Sequence, residues 1–208
     1  MSALKLSSDS TLELEKYRKK VELNIKNQLI DLNGLILPEL QSIVIDDVCN
    51  SIFEGTAESI RTSFDLPINN NQVIYIFKLG SEYDKSKSLE IRCKEIQNAI
   101  EKNEDRHTRI TGINGLNFKY RLENPHEVVL YVGTSKSFAS RLRDHIGHGS
   151  DDTAALCLKL WPIFQNKSAK LVLEYYNFGP NIESESLKLF EFFISQDLHP
   201  LMGRNRKA

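Results

Sequence analysis

Arg141 and His145 stand four residues apart in Ser137 to Ile146, a segment with helical patterning, so they project from one face a turn apart. Gly133 closes a strand-like run just before that segment. A glycine there permits a tight turn and brings the helix N-terminus, with its free N–H groups, to the sheet edge, where an anion can settle. A guanidinium fork beside such a place suits phosphate. A phosphodiester under hydrolysis gathers negative charge on its nonbridging and leaving oxygens, and an arginine and a metal ion are the groups that such a transition state needs. The proton of an attacking water can go to a tyrosine or to His145. Imidazole titrates at about 6.5 and needs little adjustment, whereas a phenol, at about 10, needs a nearby cation. Taken singly these residues are ordinary: a strand tyrosine is usually core, and a lone arginine or glutamate on a helix is usually surface.

The elements that must position them follow from the patterning. Residues 11 to 31 carry Leu14, Tyr17, Val21, Ile25 and Leu29 at three- and four-residue intervals, an amphipathic helix with Ser10 and Glu13 as a capping box. Pro38 suits a helix start, so Glu39 to Asn50 and Thr56 to Ser63 read as further helices and the N-terminal third as all-helical. Pro67 with Asn69, Asn70 and Asn71 marks the boundary between a helical region, 1–66, and the rest, 67–208. Strands are expected over Gln72 to Leu79, Glu127 to Gly133 and Ala169 to Phe178, and helices over Ser137 to Ile146, Thr153 to Trp161 and Glu183 to Asp197. An insertion at about 80–126 separates the first two strands; it holds a helical stripe within Asp84 to Lys102 and a turn at Asn114-Gly115. The fold class is α+β, a small three-stranded, mainly antiparallel sheet flanked by helices.

Composition agrees with a packed globular chain: 208 residues, 40% hydrophobic and 26% charged. No run is long and apolar enough for a membrane span, and the opening residues lack a signal peptide's apolar region, so the cytoplasm is the expected compartment. Cys49, Cys93 and Cys157 fit neither a metal spacing nor a closed disulfide set. The net charge is -1, acidic over 1–66 and modestly basic over 67–208, which by itself selects no polyanionic partner. Trp161 reads as core, and His148 to Ser150 as a helix end followed by a cap.

Val73-Ile74-Tyr75 on one strand, Tyr131-Val132-Gly133 on the next and Arg141 one helix later resemble the signature of the GIY-YIG nuclease family. The match continues through Thr134-Ser135-Lys136 to Arg141-Leu142-Arg143-Asp144-His145, and through Leu189-Phe190-Glu191 to Pro200. The resemblance covers residues 72 to 203; each tripeptide is weak, and their order and spacing carry the match. It implies an endonuclease dependent on Mg²⁺ (or Mn²⁺) with Tyr75, Tyr131, Arg141, His145 and Glu191 catalytic, Glu191 the metal ligand, and Gly133, Ser135, Lys136 and Arg143 against the substrate. Tyr75, Tyr131 and His145 all remain open as the general base. The implied substrate is DNA, with RNA open because nothing visible reads a 2'-hydroxyl. The N-terminal helices and the insertion would provide recognition or homodimer contacts.

The sequence also departs from the family. Val73 replaces the first glycine of the motif, and Thr134 stands where related repair nucleases often carry a lysine, with Lys136 two residues on. Gly203 occupies the usual place of an asparagine after Pro200, with Asn205 close by. That last change removes an outer support of the site, and it motivates the alternative reading of a catalytically inactive nucleic-acid-binding module that retains the fold.

Overall fold

The computed structural model describes residues 37–80, 128–149, 155–167 and 169–203, with Lys19 and Leu23 as single helical positions. The rest of the helix expected over 11–31, the insertion with its stripe and turn, and Asn205 lie outside the described residues. The chain divides into two compact units, Met1–Leu37 and Pro38–Ala208. Everything below concerns the second.

That unit runs β1 (Leu40–Ile45), α1 (Ala57–Ser63), β2 (Val73–Leu79), β3 (Val129–Ser135), α2 (Phe138–Arg143), α3 (Pro162–Gln165), β4 (Leu171–Asn177) and α4 (Ser184–Leu198). The α+β class holds, but among the described residues the sheet has four strands rather than three, all antiparallel, in the order β1-β4-β2-β3. The additional strand is β1, where a helix was expected after Pro38. Ile43, Val44 and Ile45 are β-branched and prefer a pleated surface. Among the described residues β1 pairs with β4 alone and leaves Leu40 and Val44 exposed, so its apolar residues do not show the alternation of a half-buried strand. The Pro67 turn cluster therefore lies inside this unit.

The second correction concerns Thr153 to Trp161. Among its described residues, Cys157 takes a left-handed φ of 52° and Leu158–Leu160 form one 3-10 turn. Trp161 is extended because Pro162 follows it, and the α-helix begins at that proline. The remaining elements fall within two residues of expectation. Thr56 caps α1, its hydroxyl accepting from Ser59 N–H at 3.1 Å. Beyond α2 the chain widens into a π-turn over Asp144–His148, ended by Gly147 at φ 118°.

Alternation sorts each strand between two faces. On one, Val73, Tyr75, Phe77, Leu130, Leu171 and Leu173 share a core with Phe53 and Ile60, with Phe138 and Leu142 of α2, and with Trp161. Ile74, Ile76 and Val132 are also buried. Leu201 and Met202 donate their N–H groups to Val129 and Leu130 carbonyls at 2.9 and 2.8 Å, adding rungs beside β3. No helix among the described residues is long and apolar enough to cross a membrane.

If residues 38–66 are integral to the sheet unit, a chain beginning at Pro38 should unfold cooperatively in urea. One beginning at Pro67 lacks β1 and the buried Phe53 and Ile60, and should lose more than about 3 kcal/mol or aggregate. Equal unfolding midpoints would contradict the four-stranded sheet.

Candidate active site

Tyr75 lies directly opposite Gly133 across the β2–β3 ladder, and Phe77 opposite Tyr131. Tyr131 and Gly133, two apart on β3, share the face that Tyr75 occupies. A Cβ on Gly133 would fall 2.6 Å from Tyr131 Cε1 and 2.7 Å from Tyr75 Oη. Glycine is required here because two phenol rings lie over it, their centroids 6.1 Å apart. Gly133 thus makes room for the tyrosines, a different duty from the anion contact expected of it.

The helical turn joining α2 to the π-turn brings Arg141 and His145 onto the same phenols. Arg141 Nε donates to Tyr75 Oη at 3.3 Å, and Tyr75 Oη lies 2.9 Å from His145 Nε2. The Tyr131 ring is 4.9 Å from the imidazole, centroid to centroid. Asp144 sits 3.7 Å from Arg141 Nη1. Tyr75 is 1% exposed and His145 0%, while Tyr131 and Arg141 are partly exposed. Solvent therefore reaches Tyr131 and Arg141, and His145, with both ring nitrogens engaged, cannot take a proton directly from bulk water.

Burial dominates the electrostatics. It pushes the Tyr75 phenol far above its ordinary range, the Tyr131 hydroxyl adds to that, and Arg141 opposes both. It holds His145 well below the usual imidazole value, with Arg141 pushing the same way. Burial pulls Arg141 down as well, but its contacts with Tyr75 and Tyr131 outweigh that and leave it raised. The Asp144 carboxyl is raised by burial against the pull of Arg141.

Glu191 joins the cluster differently. It is 8% exposed, on α4, and its Oε2 accepts from Thr134 Oγ1 at 3.0 Å. Thr134 follows Gly133 directly on β3, so the carboxylate meets the strand next to the residue over which the two phenols lie. Its charge still acts on Tyr75. Among the described residues no group of three or more His, Cys, Asp or Glu is arranged to hold a metal. One carboxylate does not fit zinc, which takes three or four protein ligands, but fits Mg²⁺, which keeps several waters.

The other expected substrate contacts have mostly local partners. Ser135 Oγ accepts from Ser137 N–H at 3.0 Å, closing the turn before α2, and Lys136 offers its carbonyl to Asn70 N–H at 2.8 Å while its side chain is exposed. Arg143 Nε donates to the Gly55 carbonyl at 3.0 Å and lines a cavity of about 420 Å³ with Thr56, Ser140 and Asp144. A larger cavity of about 500 Å³ lies between β1 and the Pro67 turn, and none of the five catalytic candidates lines it. The part of the constellation open to solvent centres on the half-buried Tyr131 and Arg141.

Sequence reading missed Thr134 as the partner of Glu191, and Asp144 as that of Arg141. The three-residue spacing of Arg141 and Asp144 was a usable signal; nothing in the sequence ties Thr134 to Glu191. Gly203, at φ 123°, stands with its Cβ position 3.9 Å from the Tyr131 ring. A left-handed residue there explains glycine in place of asparagine on backbone grounds.

Gly133→Ala should cost about 1–3 kcal/mol by overpacking and alter the tyrosine near-ultraviolet circular dichroism; an unchanged spectrum and stability would contradict the close approach. For His145, the folded value lies below the unfolded value of 6.5, so between the two the unfolded chain binds more protons and stability rises with pH. The contribution is complete above the unfolded value and is lost as pH falls below it. The urea midpoint should drop between about pH 7.5 and pH 5, and His145→Gln should flatten part of that slope. His148, lowered by burial, keeps a remainder in the same direction. Identical slopes for variant and parent would refute the assignment. Comparison of the chain with protein-family models, curated proteins and solved structures returned no match.

Proposed function

We propose that the unit Pro38–Ala208 is a metal-dependent endonuclease domain of the GIY-YIG type that hydrolyses phosphodiester bonds in DNA. The observation that carries this reading is the convergence of side chains distant in sequence: Arg141 on the Tyr75 hydroxyl at 3.3 Å, His145 on the same oxygen at 2.9 Å, Tyr131 in ring contact with both Tyr75 and His145, and Glu191 reaching β3 through Thr134. Packing alone accounts for buried rings in contact, but not for a guanidinium and an imidazole on one phenol oxygen beside a half-exposed second phenol.

In this mechanism Arg141 clamps a nonbridging phosphate oxygen, as its fork geometry suits. Tyr131, the more exposed phenol and a partner of Arg141, first gives its own proton to solvent and then, as the phenolate beside the guanidinium, receives the proton of the attacking water. Tyr75 and His145 hold Arg141 and Tyr131 in place from the interior. Glu191 would hold a Mg²⁺ or Mn²⁺ ion, which would neutralise charge developing on the phosphate.

Plasmid nicking with Mg²⁺, with chelator and with Glu191→Gln tests the reading. Glu191→Gln should abolish cleavage and leave DNA binding largely intact; equal activity of variant and parent rejects the assignment. Arg141→Ala should slow nicking roughly 100-fold or more, the scale of one lost transition-state donor. The alternative, a nucleic-acid-binding module without activity, is favoured by the burial of Tyr75 and by Gly203 beside Tyr131. It requires that the parent bind DNA and never cut it with either ion.

A further inference from the structure

The main-chain N–H of Leu156 points at Nδ1 of His145, 3.3 Å away. A peptide N–H can only donate, so Nδ1 must present a lone pair, and a neutral imidazole then carries its proton on Nε2. His145 is fully buried, and burial favours the neutral ring. Nε2–H faces Tyr75 Oη at 2.9 Å, on the oxygen that also accepts from Arg141 Nε. The opposite tautomer would set two N–H groups against each other at Leu156, a buried conflict with no water to relieve it.

The Leu156 peptide is itself held from its other end. The indole of Trp161, 1% exposed, donates Nε1–H to the Leu156 carbonyl at 2.9 Å, across a left-handed turn at Cys157. The result is one buried chain of donors: Trp161 to the Leu156 carbonyl, Leu156 N–H to His145, His145 to Tyr75.

We propose that Trp161 and the Leu156 peptide are positioning groups that lock His145 in its Nε2–H form and thereby make Tyr75 a hydroxyl accepting two hydrogen bonds. The Tyr75 proton then turns away from both donors, and the phenol cannot pass it to His145, whose facing nitrogen is already protonated. The catalytic consequence rests on the nuclease reading; the tautomer does not.

Nitrogen-15 spectra of the full labelled chain at neutral pH test it, the His145 signals being identified by their loss in His145→Gln. The expected result is an unprotonated Nδ1 and a protonated Nε2; a proton on Nδ1, or on both nitrogens, overturns the proposal. Trp161→Phe keeps an aromatic ring and removes the indole donor. It should convert His145 to a mixture of tautomers and slow nicking about tenfold, the scale of one neutral hydrogen bond; an unmoved His145 spectrum in a folded variant overturns the proposal. If Trp161→Phe fails to fold, the parent spectrum alone decides. An Nε2–H ring in a protein that cuts no DNA supports the lock and sinks the nuclease reading, whereas cleavage by a protein whose ring carries its proton on Nδ1 does the reverse.

Discussion

The hydroxyl of Tyr75 lies in the protein interior, where every polar atom must find in the chain the partners that water would otherwise give. Arg141 and His145 answer that need, and their presence at that oxygen dictates much else. A guanidinium drawn inward must keep one edge toward solvent, which Arg141 does while resting on Tyr131. An imidazole drawn inward is favoured in its neutral form, with one donor and one acceptor nitrogen, and the Leu156 N–H meets the acceptor. The π-turn after α2 gives the extra backbone width at which His145 and Asp144 turn toward the sheet and toward Arg141.

Much of this was legible in the residues. The β-branched and aromatic runs containing Tyr75, Tyr131 and Tyr175 form strands as their composition indicates, and the apolar periodicity before Pro200 forms α4. The motif spacing groups Tyr75, Tyr131, Arg141 and His145, and the fold brings the four side chains into contact. β1 was not legible because a border strand buries little, so its sequence need not alternate, and because Pro38 fits a helix start as well as an extended entry. The supposed helix before Pro162 failed for a reason that was visible: the residue before a proline avoids helical geometry.

Other features could not have been read at all. The side of β3 from which Glu191 approaches depends on how α4 lies over the strand, and no spacing on α4 reveals it. The partner of His145 Nδ1 is a backbone N–H, which every residue but proline possesses, so no residue type announces it. Trp161 looked like core and is core; its indole nitrogen is what connects that core to His145. Gly203 looked like a lost side chain, and its left-handed backbone gives a reason for glycine that is separate from chemistry.

The rungs that Leu201 and Met202 add beside β3 place Gly203 next to the Tyr131 ring. A ribosome releases β2 and β3 long before it releases that segment. Both phenols are therefore made first, on strands separated by 49 residues, and the outer flank of Tyr131 stays open until β4 and α4 have followed. A nascent chain halted after α2 lacks the segment that carries Gly203, and so lacks that neighbour of Tyr131.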